Sequence, residues 1–276
     1  AALVVWHSWS RGPKRVLWST GAVELTTPGT LEEKQLLNVV EEMAIAAGIP
    51  RPKVYLVNDP DPNAFATGHG PETASIAVTS GLVQALNREE LQAVVGHEMA
   101  HIRNLDVRLM TMIAALVGVI VVLSDGMGRM LRGGGGRGVG ALLGGRGKKS
   151  GGGALMLVIL ALWLVTLLLA PLISRLMAMA ISRNREYLAD ATGVQLTRNP
   201  AALAAALQKI EASETPTTSI KGGAAHLCIA DPLGRSANLK EGRLADLFGT
   251  HPPMAKRITI LRGMAYQQAK TAGLEA

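Results

Sequence analysis

The sequence predicts an α+β chain, mainly α-helical with a small sheet, that is interrupted by a transmembrane helical hairpin. Three observations lead to this fold class. Two long uncharged segments occupy residues 109–124 and 154–173, three short strand-like segments lie in the first third of the chain, and a strongly helical segment stands directly before the first apolar segment. With 276 residues the chain is long enough for one sizeable domain or two small ones.

The composition favours a membrane location over a nucleic-acid partner. Hydrophobic residues make up 48% of the chain, mean hydropathy is +0.24 and the formal net charge is +7. The sequence shows no basic helix with interleaved aromatic residues, so the cations are interpreted as flanks of membrane segments and no nucleic acid is expected as a partner. Cys228 is the single cysteine, which excludes an intrachain disulfide and favours a reducing compartment.

The first elements follow from periodicity and turn signals. An amphipathic helix is predicted from Leu31 to a stop near Gly48, and three strands are predicted in the segments PKVYLVND, NAFATG and ASIAVTS. A helix should then begin at Arg88 and end near Leu105, because Asn87 and a glutamate three residues later form a capping box. The opening letters AALVVW are expected to be the tail of a longer apolar segment.

The two apolar segments divide the chain into five parts. A bilayer-crossing helix needs about 20 apolar residues, so 154–173 is a strong span and 109–124 a short one, for which a buried core helix is the alternative. Between them lies a basic, glycine-rich connector. The predicted parts are an N-terminal catalytic half, a membrane helix, the connector, a second membrane helix and a C-terminal catalytic half, at residues 1–108, 109–124, 125–153, 154–173 and 174–276.

The segment VVGHEMAHIRNLD carries the clearest chemical signal. His97 and His101 are four residues apart, so they share one face of the predicted helix and can reach the same point. Neutral imidazole is a common zinc ligand, and the carboxylate of Glu98 is placed to act as general base on a metal-bound water. Two incidentally spaced histidines are the alternative interpretation.

A third ligand could come from the segment NREYLAD. Two membrane crossings return the chain to the same side, so Glu186 could face the two histidines, and Asp190 could accept a hydrogen bond from one of the imidazoles. The alternative is that these two carboxylates pair with Arg183 or Arg185 on a solvated helix.

Five segments in this order, PNAFATG, AVTSGL, VVGHEMAHIRNLD, NREYLADATG and THPP, resemble the HtpX membrane protease family, relatives of the zinc-dependent CAAX prenyl proteases. The resemblance covers about residues 30–261. It implies a gluzincin-like zinc metalloendopeptidase domain, embedded in a bacterial or archaeal cell membrane and acting in membrane-protein quality control and stress response. It also implies that Zn²⁺ is bound by His97, His101 and Glu186, and that Glu98 is catalytic. The chain departs from the family in its shortened apolar N-terminus and its long connector.

The implied reaction is hydrolysis of peptide bonds in unfolded or membrane proteins. The developing oxyanion needs a second stabiliser besides the metal, for which His251 and Tyr187 are the candidates. His69 and His226 are expected to be incidental. The segment ASIAVTS is predicted to be an edge strand that pairs with the substrate backbone. The substrate-strand candidates are Ile76, Ala77, Val78 and Thr79.

Two other functions compete with this hypothesis: a membrane scaffold or chaperone-like protein with a structural zinc or none, and a zinc hydrolase that cleaves another bond. The intact Glu98 argues against the scaffold, because a structural metal site needs no such carboxylate. The positive-inside rule favours a cytoplasmic connector, whereas Cys228 and the family resemblance favour a cytoplasmic catalytic side, which we adopt. The oligomeric state and the substrate identity stay open.

Overall fold

A four-stranded sheet with helices packed around it forms the part of the chain that the computed structural model describes. The described residues are 2–113, 161, 165, 183–213, 219–220, 227–230 and 252–273. The helices are α1 (Ala2–Ser19), α2 (Leu31–Ala47), α3 (Ser80–Ala85), α4 (Arg88–Arg103), α5 (Arg183–Thr197), α6 (Pro200–Glu211) and α7 (Met254–Thr271). The strands are β1 (Val23–Glu24), β2 (Lys53–Val57), β3 (Ala64–Thr67) and β4 (Ser75–Thr79), and a 3₁₀ turn spans Pro71–Thr73. The predicted mainly helical α+β class with a small sheet is confirmed.

The sheet has the strand order β1-β2-β4-β3, and β4 therefore lies inside it. Ile76 of β4 pairs in parallel with Val54 of β2 on one side and antiparallel with Ala66 of β3 on the other. The backbone groups of β4 are used by these two neighbours, so the prediction that this segment is an edge strand open to substrate is wrong. The correction applies to all four substrate-strand candidates: Ile76, Ala77, Val78 and Thr79.

The edge position is held by β3, which follows β2 in the chain but pairs with β4 after a short turn. Periodicity could not reveal this order, because β3 and β4 are both short, with four and five residues, and both are completely buried. The outer side of β3 is itself bridged at Phe65 by Cys228, and the Ile229 N–H donates to the carbonyl of Ala64 at 3.0 Å.

Both faces of the sheet are covered, which explains why all five residues of β4 are buried. On one face, side chains of β2, β3 and β4 pack with α2, α4 and α6 in the main hydrophobic core. On the other face, Phe65 and Ala77 pack with Val16 and Leu17 of α1 and with Met110. The sheet thus fixes the position of α4, the helix that carries the histidines.

Helix α4 begins as the sequence predicts and ends two residues earlier than predicted. The Asn87 side chain accepts from the backbone N–H of Glu90, and the Glu90 side chain accepts from the backbone N–H of Asn87, which completes the capping box. The helix ends at Arg103, and Leu105 adopts a left-handed backbone conformation with φ 63°. Helical conformation resumes over residues 106–113 after this turn.

The predicted membrane hairpin, at residues 109–124 and 154–173, lies almost entirely outside the described residues. Within the ranges given above, none of the helices combines the length and the apolar composition that crossing a bilayer requires.

Candidate metal centre

Helix α4 buries both histidines and the intervening glutamate at its contact with the rest of the protein. His97, Glu98 and His101 are 1%, 2% and 5% exposed. The Nε2 atoms of the two histidines lie 3.2 Å apart, so both imidazoles point at one location, as the spacing of four residues predicts.

Helix α5 adds a carboxylate to this pair. Glu186 Oε1 lies 3.4 Å from Nε2 of His101, and its Oε2 lies 3.7 Å from Nε2 of His97. One ligand atom from each of the three residues falls within 4.8 Å of the others. The structure therefore brings the three predicted ligands together, although they are separated in sequence by the two apolar segments.

The spacing of these atoms fits a tetrahedral metal. Ligand atoms bound to zinc at about 2.0–2.1 Å with tetrahedral angles lie about 3.3–3.4 Å apart. The observed separations of 3.2, 3.4 and 3.7 Å bracket that value. A set of two imidazoles and one carboxylate is also the donor set of a catalytic zinc site that keeps a fourth position for water.

Two glycines allow α4 and α5 to approach closely enough for this arrangement. A Cβ on Gly193 of α5 would lie 3.0 Å from the backbone nitrogen of His97, and a Cβ on Gly96 of α4 would lie 3.0 Å from Cγ2 of Thr197. The close crossing of the two helices places Glu186 opposite the histidine face of α4.

His97 is oriented by Asp190 and, through it, by Arg257. Nδ1 of His97 lies 2.9 Å from Oδ1 of Asp190, so the two groups are close together, and the role of Asp190 in fixing the tautomer stays a prediction. Arg257 of α7 donates to both carboxylate oxygens of Asp190, at 2.7 and 2.8 Å, and its Nη1 lies 3.5 Å from Oε2 of Glu186. The guanidinium is completely buried.

These contacts set the charge states around His97. Burial alone would raise the pKa of Asp190, but the charge of Arg257 and its hydrogen bonds lower it to about 2. Asp190 is thus an ionised acceptor for His97. Burial lowers the pKa of His97, which favours the neutral imidazole that a metal needs.

His101 has an orienting carboxylate of its own. Its Nδ1 lies 3.2 Å from Oδ2 of Asp106, whose Oδ1 accepts from Nη1 of Arg185 at 2.9 Å. Burial would lower the pKa of His101, but hydrogen bonds with Asp106 and Glu186 and the charge of Glu186 raise it to about 10 in this metal-free geometry.

Glu98 lies beside the three ligands in a buried position. Burial raises its pKa to about 7, against the opposing positive charges of His101 and Arg257, and the charge of Glu186 also raises it. The backbone of Ala66 in β3 lies near the Glu98 carboxyl group and acts to lower its pKa. A carboxyl group that titrates near neutral pH is well suited to general acid–base chemistry.

The other sequence candidates lie elsewhere or outside the described residues. The ring of Tyr187 lies 5.7 Å from Nζ of Lys256 on α7. His251 and His226 fall outside the described residues, so the role proposed for His251 stays a prediction. His69 is half-buried in the turn between β3 and β4, and burial lowers its pKa.

Two residues of the site were not predicted from the sequence: Arg257 and Asp106, the partner of Arg185. Arg257 occupies the buried face of α7, three residues after Met254 and four before Leu261, so a charge at an apolar position of the helical pattern was an available signal. Asp106 carried no such signal, because it reaches His101 only through the backbone break at Leu105.

A helical body with a small sheet and a buried group of two histidines and two glutamates defines a metalloprotease. The sequence model of Peptidase family M48 matches residues 30–265, and the chain belongs to this family. The membership favours the metalloprotease over the scaffold.

Individual relatives agree with the family. The chain is 42% identical over 260 residues to a protein named "Protease HtpX homolog" from Caldanaerobacter subterraneus subsp. tengcongensis, covering 94% of this chain and 80% of the relative. It is 46% identical over 233 residues to a protein of the same name from Streptococcus gordonii, covering 84% and 74%. The resemblance stated from the motifs is confirmed.

A solved structure shows the same fold at low identity. The crystal structure of S. mikatae Ste24p aligns with 93% of this chain at a TM-score of 0.50 and 19% sequence identity. The chain spans 58% of the length of that structure. This likeness concerns the fold alone.

Proposed function

We propose that the chain is a zinc-dependent endopeptidase that hydrolyses peptide bonds of misfolded or membrane proteins. The observation that carries the proposal is the convergence of His97, His101 and Glu186 on one point beside the buried carboxyl group of Glu98. A structural metal site would not need the Glu98 carboxyl group.

The residues divide the chemistry among them. Zinc, when bound by the three ligands, supplies a water of lowered pKa and polarises the scissile carbonyl. Glu98 accepts the proton of the attacking water on a carboxylate oxygen and delivers it to the nitrogen of the leaving amine. Asp190 and Asp106 each lie beside the Nδ1 atom of one histidine, which leaves the Nε2 atoms, on the side of Glu186, as the metal-binding atoms.

The location of β3 suggests where substrate backbone lies. β3 is one of the two edge strands, and the backbone of Ala66 in it lies near Glu98. We therefore place an extended substrate along the Ala66–Thr67 end of β3, instead of along β4. Recognition through the backbone would favour extended or unfolded chains, which is why misfolded polypeptides are the proposed substrates.

We further propose that residues 109–124 and 154–173 cross the membrane as a hairpin between the two catalytic halves, 1–108 and 174–276. The support is the site itself: His101 precedes the first apolar segment, Glu186 follows the second, and one metal must contact both residues. The catalytic halves would then share the cytoplasmic side, with the bilayer as a partner.

The catalytic proposal is tested with two glutamine variants and a control. Glu98→Gln should retain zinc and lose at least about a hundredfold in casein turnover, because it keeps the shape and removes the base. Glu186→Gln should lose zinc and activity together. Glu41→Gln, on the exposed side of α2, is the matched control and should change neither. Zinc content by elemental analysis and proteolysis with and without chelator are measured. Full zinc occupancy and normal activity in Glu186→Gln would remove this residue from the site.

The hairpin is tested by labelling with an impermeant thiol reagent in sealed vesicles. Ser150→Cys marks the connector and Glu41→Cys marks the exposed surface of α2. Cys228 is buried, so the unmodified chain should stay unlabelled and serves as the control. Opposite accessibility of the two positions supports the hairpin, and equal accessibility from one side contradicts it.

A further inference from the structure

We propose that Asp106 and Arg185 form a positioning pair for His101, in which Arg185 acts on this metal ligand through Asp106. The inference rests on the proposed zinc site and adds two residues to it. Neither residue is among the site residues predicted from the sequence.

The two oxygens of Asp106 have separate partners. Oδ2 lies 3.2 Å from Nδ1 of His101, and Oδ1 accepts from Nη1 of Arg185 at 2.9 Å. A carboxylate at Nδ1 holds the proton on that nitrogen and leaves Nε2, which faces Glu186, as the atom that binds a metal. Arg185 fixes the carboxylate from its other side, and therefore acts on the metal ligand through Asp106.

The backbone between His101 and Asp106 is built for this contact. In a continuous helix, a residue five positions after His101 would point about 140° away from it around the axis. The break at Leu105, with φ 63°, turns Asp106 back toward the imidazole. Leucine rarely adopts this conformation. The Leu105 side chain is 48% exposed, so its burial contributes little stability to offset the cost of the backbone conformation. Such a conformation persists where the surrounding structure requires it.

The segment that begins with Asp106 is also attached to the edge strand of the sheet. The hydroxyls of Thr111 and Thr67 lie 2.9 Å apart, and the Gly68 N–H donates to Thr111 Oγ1 at 3.1 Å. Both threonines are fully buried. The direction of residues 106–113, and with it the position of Asp106, is thus set on two sides.

The position of the pair in the chain distinguishes it from Asp190 and Arg257. Asp106 stands three residues before the first apolar segment, and Arg185 stands twelve residues after the second and next to Glu186. Arg257 is completely buried, whereas the Arg185 side chain is 40% exposed. An ion pair with such exposure adds little stability, which points to orientation as its role.

The test is zinc affinity, measured on the purified full chain by competition with a chromophoric chelator. Asp106→Ala should weaken zinc binding by about ten- to a hundredfold, as loss of an orienting carboxylate does elsewhere. Arg185→Met should weaken it less, by about threefold or more, and Arg185→Lys should restore part of the loss. Arg103→Met, an exposed arginine at the end of α4, is the matched control and should leave affinity unchanged.

Two further measurements separate orientation from general stability. Arg185→Met should weaken zinc binding little or not at all when Asp106 is already alanine, since Arg185 acts through that residue; additive losses overturn the proposal. The ¹⁵N resonances of the His101 ring should show a protonated Nδ1 in the zinc-loaded wild type and an altered Nδ1 signal in Asp106→Ala. An unchanged signal overturns the proposal. If Asp106→Ala does not fold, Asp106→Asn, which keeps the shape and weakens the acceptor, is measured in its place.

Failure of this proposal differs from failure of the zinc site. If Glu186→Gln loses zinc while Asp106→Ala binds it within about twofold of wild type, the zinc site stands and the positioning pair is refuted. If wild type and Glu186→Gln bind zinc equally weakly, the proposed function fails first. A larger loss in Asp106→Ala than in Arg103→Met, with folding of both confirmed by circular dichroism, supports the pair.

Discussion

Substitution of Gly193 by alanine tests the close crossing of α4 and α5. The new Cβ would lie 3.0 Å from N and 3.1 Å from Cα of His97, and 3.2 Å from the carbonyl carbon of Gly96. These are backbone atoms and cannot rotate away. Because ordinary carbon contacts are about 3.5–4.0 Å, α5 must move away from α4 by about 0.5 Å.

The expected energies oppose each other. Overpacking of this kind costs about 1–3 kcal/mol, while alanine gains about 1 kcal/mol over glycine in a helix. The net loss of unfolding free energy in the metal-free protein should thus be at most about 2 kcal/mol. The effect on the metal is larger, because Glu186 lies on the same helix and ligand distances tolerate only about 0.2 Å. We expect zinc affinity to fall at least about tenfold.

Gly263→Ala provides the matched control. Gly263 lies in the middle of α7, and a Cβ there has no neighbouring atom within 4 Å. This variant should gain up to about 1 kcal/mol in stability and leave zinc affinity unchanged. Urea unfolding of the metal-free proteins and chelator competition measure the two effects. If Gly193→Ala matches Gly263→Ala in both, the close helix crossing is not what positions Glu186.

Three further substitutions test the surroundings of the site. Arg257→Met leaves two buried carboxylates without their guanidinium, so it should lower the unfolding free energy by about 3–5 kcal/mol in urea titrations. Adding Asp190→Asn to this variant should recover part of the loss. A loss below about 1 kcal/mol in Arg257→Met would contradict the idea that the guanidinium compensates the buried carboxylates. In the metal-free protein, the pKa of Glu98 is about 7 in the folded state and 4.5 in the unfolded state. The unfolded chain therefore releases this proton at a lower pH than the folded chain, and the unfolding free energy falls as the pH rises between these two values. Glu98→Gln should remove up to about 3 kcal/mol of that decline, and parallel stability–pH curves for variant and wild type would refute the shift. Leu105→Gly should change the unfolding free energy by less than about 1 kcal/mol, because relief of the left-handed conformation offsets the added entropy of the unfolded chain. Leu105→Val should lower the unfolding free energy by about 1–2 kcal/mol. Equal thermal shifts in the two variants would contradict backbone strain at this position.

The parts of the fold that follow local rules could be predicted from the sequence. The capping box at Asn87 fixed the start of α4, and the spacing of His97 and His101 placed both on one face. The end of α4 could not be predicted, because leucine at position 105 gives no signal for a left-handed conformation. Strand order was equally hidden, since β3 reaches the edge of the sheet only after pairing with β4.

The candidate site shows the same division. Asp190 was predicted because it stands four residues from Glu186, a spacing that a helix converts into a shared face. The roles of Arg257 and Asp106 depend on contacts with Asp190 and Arg185, which lie far from them in the sequence. From the sequence alone, Arg185 was an alternative partner for Glu186 and Asp190. The structure pairs Arg185 with Asp106 instead.

The charged side chains of the site come from different helices, and this limits the order in which these helices can dock during folding. The histidines come from α4, the carboxylates Glu186 and Asp190 from α5, and the compensating guanidinium of Arg257 from α7. If α5 were buried against α4 without α7, two carboxylates would lose water with no cation to replace it, which is strongly unfavourable. Docking of α7 must therefore accompany the burial of α5. The completed arrangement then holds both imidazoles with their Nε2 atoms toward Glu186 before a metal arrives, so that binding requires little rearrangement of the protein.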